Sequence, residues 1–202
     1  MKCDIIIQNL HIKFVEREKN VRKNELEFVQ SAERYRQNLD ILASKVVKLL
    51  LSGNLHIATA ESCTGGLLSE LITSVPGASD VFELGICSYS DRIKHEILGV
   101  PDEELEKFSA VSSQVAVSMI RGIKRLSSAD ICVSVTGIAG PSGGTPDKPV
   151  GTVYTAFSYG NREFSKLLRL CENGECSRDI IRLRTAMYVF ETVEQLLMEE
   201  VQ

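Results

Sequence analysis

From Leu39 onward the apolar residues fall into short periodic blocks separated by turn signals. A helix runs through Ile41, Leu42, Val46, Val47, Leu49 and Leu50, with Asp40 placed to cap it and Gly53-Asn54 to end it. His56 to Ala60 reads as a short buried strand. Ser62 to Thr64 opens a Gly-Gly turn into a helix carrying Leu67, Leu68, Leu71 and Ile72, which Val75-Pro76-Gly77 stops. Val81–Tyr89 is the next strand, followed by a helical turn over Asp91–Leu98 closed by Gly99. Pro101 starts a short acidic helix. Ser112 caps a longer one with Val115, Val117, Met119 and Ile123 inside. Ile131–Val135 is a strand buried on both faces. Val153–Tyr159 and Glu163–Leu170 form a hairpin around Gly160-Asn161, and a long helix runs from Arg178 to Glu200. Strands alternate with helices before the hairpin, which predicts an α/β fold: a three-layer α/β/α sandwich with a mixed, mostly parallel sheet.

Residues 1–38 follow a different pattern. They are dense in Lys, Arg, Glu and Asn, with eight basic and six acidic residues, so the rest of the chain carries −6 of the net −4. They read as a charged, partly helical extension, with residues 39–202 forming the domain. Val15, Val21, Leu26 and Val29 are apolar positions open to burial against a second subunit, and a homo-oligomer is expected.

Composition narrows the class. The 202 residues are 44% hydrophobic and 25% charged, ordinary for a globular protein and unlike a disordered, collagenous or rod-like chain. The acidic balance argues against direct nucleic-acid binding. No apolar run approaches the ~20 residues a membrane span needs. The first residues lack the pattern of a signal peptide, so a cytoplasmic protein without a membrane partner is expected. The six cysteines, at 3, 63, 87, 132, 171 and 176, then read as free thiols, and no CxxC pair offers a zinc site.

Three segments could carry chemistry. The first, Thr59 to Gly66, joins a strand end to a helix start, where free N–H groups can hold an anion and glycines let a ligand approach. Ser62 or Thr64 could equally be a helix cap. Glu61, beside Ser62, is the carboxylate to watch. The second is Tyr89 to Lys94, again past a strand. A buried lysine can act as a base toward a serine hydroxyl, and a tyrosine can relay that proton. A solvated lysine and a packed tyrosine are the alternative. The third is Val135–Gly151, with five glycines and three prolines. It is longer than a connection requires, its main-chain amides could form an anion nest, and Lys148 adds charge. Arg178 and Arg182 open the last helix at a spacing that lets both face an anion. The three histidines and the scattered carboxylates make no catalytic or metal-ligand pattern.

TAESCTGG, the YSxxxK of Tyr89 to Lys94 and VTGIAGPSGGTPDKPVGTVY together resemble the CinA C-terminal domain family, over about residues 40 to 198. That family includes the nicotinamide-nucleotide amidases, and its fold is a three-layer α/β/α sandwich. The resemblance implies hydrolysis of nicotinamide mononucleotide to nicotinate mononucleotide and ammonia, with no metal and no organic cofactor. It implies Ser62 as nucleophile, with Lys94 and Tyr89 as its partners. The expected oxyanion and substrate contacts are Glu61, Thr64, Gly65 and Gly66 on the first segment. On the glycine-rich loop they are Thr136, Gly137, Ala139, Gly140, Gly143 and Gly144, and Arg178 is expected to join them at the phosphate. Tyr154 is open to stacking on the pyridinium or to packing in the core. Two positions depart from the family pattern. Asp91 stands where Asn is common, and Cys176-Ser177-Arg178 replaces a Gly-Asp-Arg. The alternative function is a catalytically weak nucleotide-binding regulator linked to competence or DNA damage.

Overall fold

A computed structural model describes residues 29–171 and 177–199. The expectations for residues 1–28, Cys176 and Glu200 lie outside them.

The first helix, α1, is helical from 29 to 53 without a break. Asp40 therefore sits inside it rather than at its cap, and the expected boundary at 38/39 falls within the helix. The reason is packing: Ala32 and Tyr35 continue the apolar stripe of Leu39, Leu42, Val46 and Leu50 toward the N-terminus.

Strand β1 (Ile57–Glu61) leads into α2 (Leu67–Thr73), and β2 (Phe82–Cys87) into α3 (Asp91–Glu96) and α4 (Asp102–Phe108). Helix α5 (Ser113–Leu126) precedes β3 (Ile131–Gly137). The hairpin β4 (Thr152–Tyr159) and β5 (Arg162–Arg169) follows, and then α6 (Arg178–Glu199). Ser112 caps α5 as expected, its hydroxyl accepting the Val115 amide. Gly160 supplies the positive φ of the hairpin turn.

The five strands run in the order β2-β1-β3-β4-β5. β1 pairs in parallel with β2 and with β3, whereas β3–β4 and β4–β5 are antiparallel. The sheet is mixed, but its pairings divide evenly between the two kinds rather than being mostly parallel. Alternate residues of β3 feed two cores. Ile131, Val133 and Val135 face α1, α2 and α6, while Cys132 joins Ala58, Ala60 and the α5 residues Met119 and Ile120 on the other face. That sidedness makes three layers. Tyr154 is half-buried against the second core. Among the described residues, no helix is long and apolar enough to cross a membrane.

Candidate functional site

The three segments meet because they leave the C-terminal ends of three adjacent strands. Backbone hydrogen bonds fasten them together. The Ser62 amide donates to Val135 O at 2.9 Å, and the Ser88 amide donates to Glu61 O at 2.8 Å. Ser62 itself is 8% exposed. Its carbonyl accepts the Gly65 amide at 3.1 Å, while its hydroxyl makes no hydrogen bond among the described residues. Gly65 and Gly66 take φ of +61° and +93°, and this left-handed pair folds the chain sharply into α2.

Glu61 was expected to face substrate. Instead its side chain is fully buried and points into the start of α2. One oxygen accepts the amides of Gly66 and Leu68 at 3.0 and 3.1 Å. The other accepts the amide and hydroxyl of Ser69 at 2.9 and 2.7 Å. A carboxylate placed here satisfies the orphan donors of a helix whose N-cap residue is Gly66, without a side chain. The Gly65 and Gly66 amides are thus occupied and are not oxyanion donors. Within Ser62 to Gly66, the amides of Cys63 and Thr64 are left without an acceptor among the described residues. The Thr64 hydroxyl is buried and unpartnered.

Lys94 is 1% exposed. Its Nζ donates to Tyr89 O and to Asp91 Oδ1, both at 3.4 Å. No hydrogen bond joins it to Ser62. The phenol of Tyr89 makes no hydrogen bond to Lys94, which bonds that residue only at its carbonyl. It is 59% exposed, and Arg178 Nη2 donates to its hydroxyl at 2.5 Å. Arg178 Nη1 donates to Gly140 O at 2.9 Å, so this residue spans the second and third segments. Arg182 does not face open space. Its Nε and Nη2 both donate to Thr64 O, at 3.0 and 2.8 Å. Arg178 and Arg182 also lower the Cys63 thiol, but burial dominates and pushes it up to about 12.

On the loop, the Thr136 hydroxyl donates to Ala110 O at 2.7 Å, and Gly137 pairs with Val153 at the end of β3. Both are structural rather than ligand-facing. Lys148 is also engaged, donating to Phe108 O and Ser109 Oγ at 2.8 and 2.7 Å. The amides of Ala139, Gly140, Gly143 and Gly144 have no acceptor among the described residues; Gly143 and Gly144 are exposed, whereas Ala139 and Gly140 are buried. Of the thiols, Cys63 and Cys132 are buried and Cys87 is exposed. His56 pairs with Asp130, and His95 with Asp102 and Val100 O.

Sequence reasoning missed the Arg178–Tyr89 contact, the Arg182–Thr64 tie, the Lys148 contacts and the inward turn of Glu61. None had a local signal, because Ser62 and Thr64 stand before α2 as apparent caps although its N-cap is Gly66.

Known proteins resemble this chain in sequence and in fold. The model of the CinA C-terminal domain matches residues 39–197. A CinA-like protein of Thermotoga neapolitana is 46% identical over 165 residues, covering 82% of this chain but 39% of that protein. This chain therefore spans well under half the length of that curated relative. A crystal structure of a competence/damage inducible protein from Agrobacterium tumefaciens superposes with a TM-score of 0.74 at 38% identity, covering 78% of this chain and 94% of that one. A competence-damaged protein (CinA) superfamily structure from Enterobacter cloacae gives 0.73 at 30% identity, covering 79% and 92%. With its fold, its three motifs and nearly all of its described residues accounted for, the chain belongs to the CinA C-terminal domain family.

Proposed function

We propose that the chain hydrolyses the carboxamide of nicotinamide mononucleotide, releasing ammonia and nicotinate mononucleotide. The observation that carries this reading is a serine, free at its hydroxyl on a strand-to-helix turn made by Gly65 and Gly66, and a fully buried lysine beyond the adjacent strand at the same sheet edge. Ser62 Oγ attacks the carboxamide carbon and Lys94, acting as the neutral amine, takes its proton. The developing oxyanion is received by the free Thr64 amide, a kind of contact worth about 10²–10³ in rate where a single donor has been removed. Lys94 returns the proton to the nitrogen, the C–N bond breaks and ammonia leaves an ester on Ser62. Water, deprotonated by Lys94, cleaves that ester and frees Ser62. The phosphate rests on the loop amides at Ala139, Gly140, Gly143 and Gly144. Arg178 exchanges its neutral acceptors, a phenol and a carbonyl, for the charged phosphate. Tyr89 is thereby a gate residue on Arg178, and Asp91 an anchor for Lys94.

Ammonia release from nicotinamide mononucleotide tests the reading, with Ser62→Ala and Lys94→Ala alongside. Activity in the wild type and in neither variant supports it. Equal activity in all three overturns it. Nucleotide binding without turnover would favour the regulatory reading instead.

A further inference from the structure

Ser109 is a serine in a backbone conformation that belongs to glycine. Its φ of 64° and ψ of 163° lie where a Cβ is crowded. The other described non-glycine residue with positive φ, Asn54, has a side chain that tolerates it. Strain of this kind persists only where the surroundings hold it. Here the holder is Lys148, 39 residues on. Its ammonium takes both the Phe108 carbonyl, at 2.8 Å, and the Ser109 hydroxyl, at 2.7 Å. Both acceptors reach one ammonium only because the chain turns as it does at Ser109.

This contact closes one end of the glycine-rich loop. At the other end Thr136 donates to Ala110 O, in the same α4–α5 corner. Between the two ties, Pro141 to Asp147 are all exposed. The loop's internal bonds are few: Thr145 N to Lys148 O, Lys148 N to Thr145 Oγ1, and Gly151 N to Ile138 O. A loop so sparsely bonded depends for its shape on these ties and on Arg178, whose Nη1 holds Gly140 O, and a nest of amides binds an anion only when they converge.

We propose that Lys148 and Ser109 form a latch that clamps the glycine-rich loop to the α4–α5 corner and so sets its affinity for the substrate phosphate. The proposal rests on the amidase reading for the identity of the anion. Lys148 is a positioning residue here rather than the phosphate's main ligand, because two of its three ammonium donors are directed at the protein.

The test compares K148M, S109G and K107A with the wild type. Lys107 lies over the Phe108 ring, 5.1 Å from its centre, and carries the same charge without the latch. K148M should raise KM for nicotinamide mononucleotide by about tenfold, the worth of one charge-assisted hydrogen bond, and leave kcat within about twofold. It should also speed hydrogen exchange at Thr145 and Gly151, and K107A should do neither. S109G should raise Tm by about 2–4 °C as strain is released, yet raise KM, a divergence that a merely structural serine would not give. Wild-type KM and exchange in K148M would overturn the latch, as would an equal rise of KM in K107A. If the wild type does not turn over, the amidase reading falls by itself. Loop exchange and binding of inorganic phosphate to K148M then decide the latch: wild-type values in both overturn it, and faster exchange with weaker phosphate binding sustains it.

Discussion

The carbonyl of Glu61 accepts the amide of Ser88 at 2.8 Å, and this bond ties the residue before Ser62 to the residue before Tyr89. The two segments that supply the proposed nucleophile and base thus share an anchor at the edge of the β1–β2 pair. Ser88 Oγ reinforces it, donating to the same oxygen at 3.4 Å. Glu61 holds α2 with its carboxylate and the β2–α3 corner with its carbonyl, so movement of either segment is felt at Ser62.

Glu61→Gln should weaken both stability and turnover. An amide keeps one acceptor oxygen but sets an NH2 group against the N–H donors of α2. Each buried donor left unmet costs about 1–3 kcal/mol. For a chain of this size, Tm should fall by about 2–4 °C per kcal/mol. Thermal melts and the ammonia assay check this together, and a variant with wild-type Tm and rate would refute the anchoring role.

Arg182 fastens the Ser62 turn to α6 by two bonds to one carbonyl, Thr64 O. Arg182→Met should lower kcat more than it raises KM, because Arg182 shapes the turn and does not hold the phosphate. Arg182→Lys should restore less than half of the loss, since a point charge cannot reproduce the planar fork. Steady-state kinetics on the pair of variants distinguishes this from phosphate binding, which would appear mainly in KM.

How much of this was legible in the sequence depended on distance along the chain. β3 was readable because a strand buried on both faces leaves an unbroken apolar run. The α5 cap and the Gly160 turn were readable because their chemistry is local. Asp40 misled because a capping residue and a helix interior look alike when the upstream stripe, Ala32 and Tyr35, is interleaved with Glu33, Arg34 and Arg36. Ser62 and Lys94 could be named from their motifs, but Glu61 could not be assigned its direction, since burial is not a property of spacing. The Arg178–Tyr89, Arg182–Thr64 and Lys148–Ser109 contacts join residues 89, 118 and 39 positions apart. No periodicity reports such pairs.

Gly122→Ala should destabilise the protein although it improves helix propensity. Inside α5, alanine would gain up to about 1 kcal/mol. Its Cβ, however, would lie 2.1 Å from Leu98 O. That carbonyl is held by Arg125 Nη2 at 3.0 Å, so it cannot retreat freely. Overpacking of this kind costs about 1–3 kcal/mol or more, so the steric cost outweighs the propensity gain. The strain also reaches the site, because Val100 N bonds Lys94 O beside Leu98. A lower Tm and reduced activity are expected. A higher Tm would show that α3 yields without cost.

The Cys63 thiol links the site to pH. Burial pushes it from 9.0 up to about 12, with smaller opposing contributions from its own amide and from Arg178. A raised thiol stays protonated in the folded state while the unfolded chain ionises near 9.0. From pH 9 to 12 the unfolded state therefore binds fewer protons, and stability falls as pH rises, by about 1.4 kcal/mol per unit from this group. Its full contribution is present below pH 9. Urea denaturation at pH 8 and pH 10 should show a drop that shrinks in Cys63→Ala by about that amount, although the alanine itself lowers stability at both values. The same burial predicts that iodoacetamide at pH 8 modifies the exposed Cys87 before Cys63, although burial raises Cys87 too. Mass spectrometry of the alkylated chain reads the order directly. Rapid modification of Cys63 would mean that the turn bearing Ser62 opens in solution, and the rigidity ascribed to Glu61 and Arg182 would fall with it.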